Sequence, residues 1–107
     1  VVWQLGMELV TLVYALTRRF PADERFGLTS QARRAAVSVP ANIAEGRTRT
    51  HRKVYLHHLS IAVGSLSELE THLLIAGRLG FLKQEDVLEL SQARVVWGEC
   101  CMASCVA

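Results

Sequence analysis

The chain has 107 residues, half of them hydrophobic and 21% charged, and its formal net charge at pH 7 is +2. This length fits a single domain over 1–107, and the apolar content suffices for a core without a structural metal or disulfides. Abundant Leu, Ala and Val with only two Pro favour helices over sheet.

The charged residues are unevenly distributed along the chain. Residues 1–53 contain nine of the twelve Lys and Arg but only four of the ten acids, so this half is basic and the second half is acidic. Such asymmetry predicts either an anionic partner for the first half or self-association between oppositely charged surfaces. Most of the bases are Arg, which suits bidentate phosphate contacts and interface ion pairs alike.

The first predicted helix covers about 2–19, and Pro21 stops it. Apolar residues at steps of three and four describe its inward face: Trp3, Met7, Val10, Val13 (or Tyr14) and Leu16. Residues 20–28 follow as a linker, with Pro21 and Gly27 as breaks. The linker contains three apolar residues, which predicts that it folds back over the core: Phe20, Phe26 and Leu28.

The second predicted helix begins after an N-cap at Thr29 or Ser30 and reaches about Glu45, with Gly46 as the residue that ends it. Its buried stripe includes small residues, which let a neighbouring helix approach closely: Ala32, Ala35 (or Ala36), Val39 and Ile43. An acid near a helix C-terminus is unfavourable for the dipole. We therefore expect Glu45 to pair with a cation such as Arg49 or an arginine of another chain.

Pro40 lies in the middle of this second helix, within the stretch RRAAVSVPANIAEG. Proline removes a backbone donor and clashes with the carbonyl four residues earlier. A kink is therefore predicted, with the Ala36 carbonyl left without its partner. Ser38 or Asn42 carries a polar side chain that can satisfy such a group. We interpret Pro40, Asn42, Glu45 and Gly46 as a motif for packing and assembly.

The third predicted helix, over about 52–78, has the strongest periodicity in the chain. Its seam alternates steps of four and three: Tyr55, Leu59, Ala62, Leu66, Leu69, Leu73 and Ala76. Leu56, Val63 and Leu74 widen this stripe, which favours a bundle over a two-stranded coiled coil. At about 1.5 Å per residue the helix is roughly 40 Å long, and the other helices must share that axis.

The fourth predicted helix starts near Gln84 and has one apolar face: Val87, Leu90, Ala93, Val96 (or Trp97) and Cys100. From Val95 onward it is apolar nearly all round, which predicts a subunit interface. Four amphipathic helices with short loops predict an all-α, antiparallel up-down four-helix bundle with a kinked second helix. The competing architecture is a three-helix core with a loose N-terminal helix.

A set of cations around the second and third helices is the most functional-looking feature: Arg33, Arg34, Arg47, Arg49, Arg52 and Lys53. Such a set can contact the phosphates of RNA or DNA. The alternatives are a solvated loop and arginines that pair with a neighbouring subunit. No aromatic residue other than Tyr55 interleaves with the set, so the sequence gives little support to base stacking.

Known catalytic and cofactor signatures are absent: there is no Walker A loop, dinucleotide fingerprint, HExxH or GxSxG. Glu68 and His72 are four residues apart, but two ligands do not make a metal site. A carboxylate cluster of Glu45, Glu68 and Glu70 lacks the E-x-x-H spacing of di-iron bundles. We therefore expect no enzyme, metal or cofactor. The clustered Cys100, Cys101 and Cys105 are interpreted as packing residues.

Two stretches resemble a known family: FPADERFGLTSQARRAAVSVPANIAEG and HHLSIAVGSLSELETHLLIAGRLGFL. They are similar to the bacterial 23S rRNA intervening-sequence protein family, also called four-helix bundle proteins, over about residues 3–98. The resemblance implies a four-helix bundle that forms a homopentameric ring without established enzymatic activity. A group with a similar fold, the accessory proteins of diversity-generating retroelements, is thought to bind nucleic acid and a reverse transcriptase.

Two functional hypotheses follow for a non-catalytic oligomer. The first is binding of RNA or DNA through the cationic set, and the second is a structural ring that assembles without a nucleic-acid ligand. No run of about 18 uncharged apolar residues occurs, so no membrane span is predicted and a cytoplasmic location is expected.

Overall fold

The computed structural model describes residues 2–92, and each regular element within that range is helical. The helices are α1 (Val2–Thr17), a 3-10 helix (Ala22–Glu24), α2 (Leu28–Arg47) and α3 (Arg52–Arg78). A further helix, α4, begins at residue 84 and is described through residue 92. Helix α2 packs against both α1 and α3, and the short connections make successive helices antiparallel. The predicted all-α helical bundle is confirmed.

Helix α3 supplies the centre of the core, as its periodicity predicts. Of the seven seam residues, Tyr55 is half-buried. The other six are buried: Leu59, Ala62, Leu66, Leu69, Leu73 and Ala76. Leu56 lies partly against the core, whereas Val63 and Leu74 are exposed. The core-facing stripe of α3 is thus narrower than the widened stripe that the sequence suggests.

Helix α1 belongs to the core, and its predicted inward face is confirmed in part, since Val13 and Leu16 are buried while Trp3 and Val10 pack partly against the core. Its buried residues step by four and three: Val2, Gly6, Leu9, Val13 and Leu16. Met7, placed inside by the apolar spacing, is 45% exposed, and Tyr14 is exposed as well. The apolar spacing missed Val2 and Leu9 because the buried stripe passes between them through Gly6, which has no side chain to count. Since four apolar residues of α1 are in the core, the alternative with a loose N-terminal helix is wrong.

Helix α2 begins one residue earlier than its predicted N-cap. Gly27 occupies the N-cap position, and Thr29 is buried inside the first turn. The Leu28 backbone N–H donates to Glu24 Oε2 at 3.0 Å, so a carboxylate from the preceding 3-10 helix does the capping. The predicted stripe is confirmed, with both Ala35 and Ala36 buried beside Ala32, Val39 and Ile43.

Gly46 does not end α2, contrary to its predicted role as a C-terminal stop. The helix continues through Arg47, and Gly46 is buried against α3. A Cβ at Gly46 would lie 3.0 Å from His58 Cβ and 3.1 Å from Tyr55 Cδ1. Such spacing is tighter than ordinary van der Waals contact, so the position needs glycine because two helix backbones approach closely there.

Pro40 is a second point of close approach, on the opposite side of α2. The helix continues through Pro40, which is buried. A Cβ at Gly6 of α1 would lie 3.2 Å from Pro40 Cβ, so the proline ring packs on the one residue of α1 that has no side chain. Pro40 thus serves packing, as predicted, while the kink itself stays a prediction.

Helix α3 is, among residues 2–92, the one helix long and apolar enough to cross a membrane by length and composition. Its apolar seam faces the other helices, which is how the central helix of a bundle buries its apolar residues.

Candidate nucleic-acid interface

The turn between α2 and α3 brings four of the six predicted cations to one end of the bundle. Arg47 is the last residue of α2, and Arg52 is the first residue of α3. Each residue from Arg47 to Val54 is exposed. We call Arg47, Arg49, Arg52 and Lys53 the turn cluster.

The helix dipole disfavours the two cations at the start of α3, Arg52 and Lys53, whereas it favours Arg47 in the last turn of α2. The first turn of α3 contains no acid, and its N-cap residue, His51, makes no side-chain capping bond. Cations beside a helix N-terminus are unfavourable because the dipole there is positive. A bound anion would interact favourably with both the cations and the dipole.

Ion pairs within the turn leave much of its charge unbalanced. Arg49 Nη2 donates to Glu45 Oε1 at 3.1 Å, which confirms the partner predicted for Glu45. Glu45 is the only acid between residues 45 and 53. Arg47 and Lys53 form no ion pair with any other residue in the described range 2–92.

Arg33 and Arg34 lie elsewhere, so the structure divides the predicted set into two groups. Arg34 precedes Arg47 by thirteen residues on α2, which is about 20 Å along the helix axis. Arg33 is anchored, because its Nε donates to Thr17 Oγ1 at 2.8 Å and its guanidinium lies 4.5 Å from the centre of the Tyr14 ring.

Two aromatic residues that the sequence reasoning did not assign to a site stand beside this second group. Tyr14 lies under Arg33, and Phe26, 88% exposed, has the Arg25 guanidinium 5.4 Å from its ring centre. Phe26 appears in the sequence as an apolar residue of a linker, which predicts burial. Its neighbour Arg25 is the one local signal that could have suggested a surface site.

A chain of polar side chains runs along the contact between α2 and α3. The Ser38 and Ser65 hydroxyls hydrogen-bond at 2.8 Å. Asn42 Nδ2 donates to the Ser38 carbonyl oxygen at 2.8 Å and to Ser38 Oγ at 3.0 Å. Asn42 Oδ1 lies 3.2 Å from His58 Nδ1. We call Ser38, Asn42, His58 and Ser65 the seam chain.

The seam chain revises the prediction for Asn42 and sets the direction of its hydrogen bond to His58. Asn42 donates to the carbonyl of Ser38. It does not donate to the carbonyl of Ala36, which is the group expected to lose its helical partner at Pro40. Since a carbonyl only accepts, the amide nitrogen must point to Ser38 and the amide oxygen to His58. His58 therefore carries a hydrogen on Nδ1, and its Nε2 lies 4.0 Å from Glu45 Oε1.

The remaining predicted candidates do not come together. His72 Nε2 lies 3.2 Å from Glu68 Oε1 on the same helix. Within residues 2–92, no three His, Cys, Asp or Glu side chains lie close enough to hold a metal ion. Cys100, Cys101 and Cys105, together with the apolar end of the fourth helix, lie outside the described residues.

The fold and this surface define a helical bundle with a glycine- and proline-dependent core and an exposed cationic turn. The model of the family described as 23S rRNA-intervening sequence protein matches residues 1–95, and the chain belongs to that family. No curated protein matches the chain.

A solved structure shares the fold at low sequence identity. It is the crystal structure of a protein of unknown function from the S23 ribosomal protein family of Bacteroides thetaiotaomicron. The two chains cover each other completely with a TM-score of 0.90 and 19% identity. At this identity the likeness supports the fold alone.

Proposed function

We propose that this protein is a non-catalytic, cytoplasmic RNA-binding protein whose turn cluster contacts phosphates. The observation that carries the proposal is the exposure of Arg47, Arg49, Arg52 and Lys53 at one end of the bundle, with Glu45 as the nearest acid in sequence. Arginine and lysine in this arrangement bind a polyanion, because phosphate contacts release condensed counterions.

The family supplies the choice of polyanion. Its description names 23S rRNA, so a structured RNA is the first ligand to test. The geometry fits backbone recognition, since the cations project from a helix end and a short turn. Contacts of this kind position a protein on nucleic acid without reading its sequence.

The test compares two double variants that remove the same charge from opposite ends of the bundle. Arg47→Ala with Lys53→Ala alters the turn cluster, whereas Arg18→Ala with Arg78→Ala alters exposed cations at the other end. Fluorescence anisotropy with a labelled RNA hairpin at ~50 mM salt measures binding. Two lost phosphate contacts at about 1 kcal/mol each weaken binding about thirtyfold in the first variant.

The control variant keeps the wild-type affinity, because both pairs of side chains are exposed and both variants have the same net charge. Equal weakening by the two variants would mean that overall charge, and not the turn cluster, attracts the RNA. Absence of hairpin binding by the wild-type protein at ~50 mM salt would contradict the proposal itself.

A structural ring is the second candidate function, and exposed apolar side chains favour it. Three leucines are each about half exposed: Leu74 on α3, Leu79 just after the end of α3, and Leu88 on α4. A homopentamer would bury such residues at contacts between copies. Light scattering tests this: a homopentamer has five times the mass of the 11.9 kDa chain, and replacing Leu88 with Gln lowers that mass if α4 forms the contact.

A further inference from the structure

A cationic groove lies between α1 and the first half of α2, away from the turn cluster. Its volume is about 660 Å³. No acid lines the groove. Its lining includes three guanidinium groups and two aromatic rings, together with small side chains: Arg25, Arg33, Arg34, Tyr14 and Phe26. We call it the aromatic groove. Its residues belong to two helices and a linker, so only the folded chain assembles it.

One wall of the aromatic groove is held in place before any ligand arrives. Thr17, which is 2% exposed, donates its hydroxyl hydrogen to the Val13 carbonyl at 2.8 Å and accepts from Arg33 Nε at 2.8 Å. The Arg33 guanidinium is thereby fixed over the Tyr14 ring at 4.5 Å. A guanidinium stacked on a ring presents a flat cationic surface, which suits stacking of a nucleobase.

The other wall is an aromatic ring in an unusual position for a residue that serves only the fold. Phe26 is 88% exposed, far more than any other large apolar residue described in residues 2–92. Arg25 lies at 5.4 Å from its ring centre, so the ring is flanked by a cation. An exposed ring beside cations is the arrangement by which proteins bind single-stranded nucleic acid.

We infer that the aromatic groove binds an unpaired segment of RNA, with bases stacked on Phe26 and on the Arg33–Tyr14 pair. Phosphates of that segment pair with Arg25 and Arg34. A purely apolar protein surface is a poorer occupant, because it would leave three guanidiniums without counter-charge. Glu24, the nearest acid in sequence, accepts from the Leu28 N–H and does not line the groove. This site is separate from the turn cluster.

The experiment uses three labelled RNAs. The first is a blunt duplex, the second is the same duplex with an unpaired tail, and the third is the tailed duplex with abasic nucleotides in the tail. The tail raises the affinity of the wild-type protein about tenfold, and the abasic tail restores little of that gain, because stacking needs bases. Phe26→Ser removes the gain and leaves duplex binding unchanged. Phe26→Tyr keeps the gain.

Leu79→Ser is the matched control, since Leu79 is also exposed and apolar but lies at the end of α3. It keeps the tenfold gain. A tail that adds nothing, or a gain that survives Phe26→Ser, would overturn the inference while duplex binding by the turn cluster remains intact. If Phe26→Ser instead lowers the mass measured by light scattering, the groove is a contact between copies and the inference is wrong.

Discussion

The seam chain and the turn cluster are close in sequence, because the turn cluster lies between Asn42 and His58, but they differ in what surrounds them. Asn42 and His58 lie partly buried between α2 and α3, where Asn42 donates to the Ser38 carbonyl and its Oδ1 accepts from His58 Nδ1. Arg47 and Lys53 stand in solvent without an ion pair in residues 2–92. The difference separates two roles: the seam chain links α2 and α3, and the turn cluster is the part to which the proposed function assigns RNA binding. Substitutions that affect one role alone test this separation.

The largest expected change in stability is at Gly46, where α2 and α3 approach closely. Gly46→Ala places a Cβ 3.0 Å from His58 Cβ, so α2 and α3 must move apart at a cost of about 1–3 kcal/mol of unfolding free energy. Urea unfolding measures the change. Gly64→Ala is the control, because a Cβ there meets nothing within 4 Å. Gly64→Ala raises the unfolding free energy by about 0.5–1 kcal/mol. The same substitution therefore changes the unfolding free energy in opposite directions in the two helices.

A smaller loss follows from removing the amide at the centre of the seam chain. Asn42→Ala leaves His58 Nδ1 and the Ser38 hydroxyl each without one partner, which costs about 1–2 kcal/mol. Thermal unfolding checks the value. The RNA affinity of the folded variant stays at the wild-type level. A stability unchanged by Asn42→Ala would show that the seam chain does not stabilise the contact between the helices.

The smallest expected change in stability is at the boundary between the two regions. Glu45→Gln breaks an exposed pair with Arg49, so the unfolding free energy changes by less than about 0.5 kcal/mol. The RNA affinity rises, because a negative charge beside the turn cluster is removed. Glu85→Gln, an exposed acid at the far end, is the control and leaves affinity unchanged. Weaker RNA binding by Glu45→Gln would contradict a direct role for Arg49.

The sequence predicts those parts of the fold that regular side-chain spacing determines. The seam of α3 and the stripe of α2 were correct because apolar side chains mark them directly. The first half of the α1 face and the role of Gly46 were missed for a common reason. Each depends on a glycine that lets two helices approach, and a missing side chain leaves no apolar signal.

The candidate site was predictable in composition and only partly in arrangement. The turn cluster is contiguous in the chain, so its assembly needs no tertiary information. Arg33 and Arg34 share the composition of the turn cluster, but thirteen residues of α2 between Arg34 and Arg47 separate them from it by about 20 Å. The pairing of Arg33 with Tyr14 depends on how α1 crosses α2, which no local pattern reveals.

The salt dependence of RNA binding tests the turn cluster most directly. The slope of the logarithm of the association constant against the logarithm of salt concentration reports the number of phosphates that the protein neutralises. Arg47→Ala with Lys53→Ala reduces the magnitude of that slope by about two, and Arg18→Ala with Arg78→Ala leaves it at the wild-type value. A slope that is the same in the wild-type protein and in the turn-cluster variant would contradict the account.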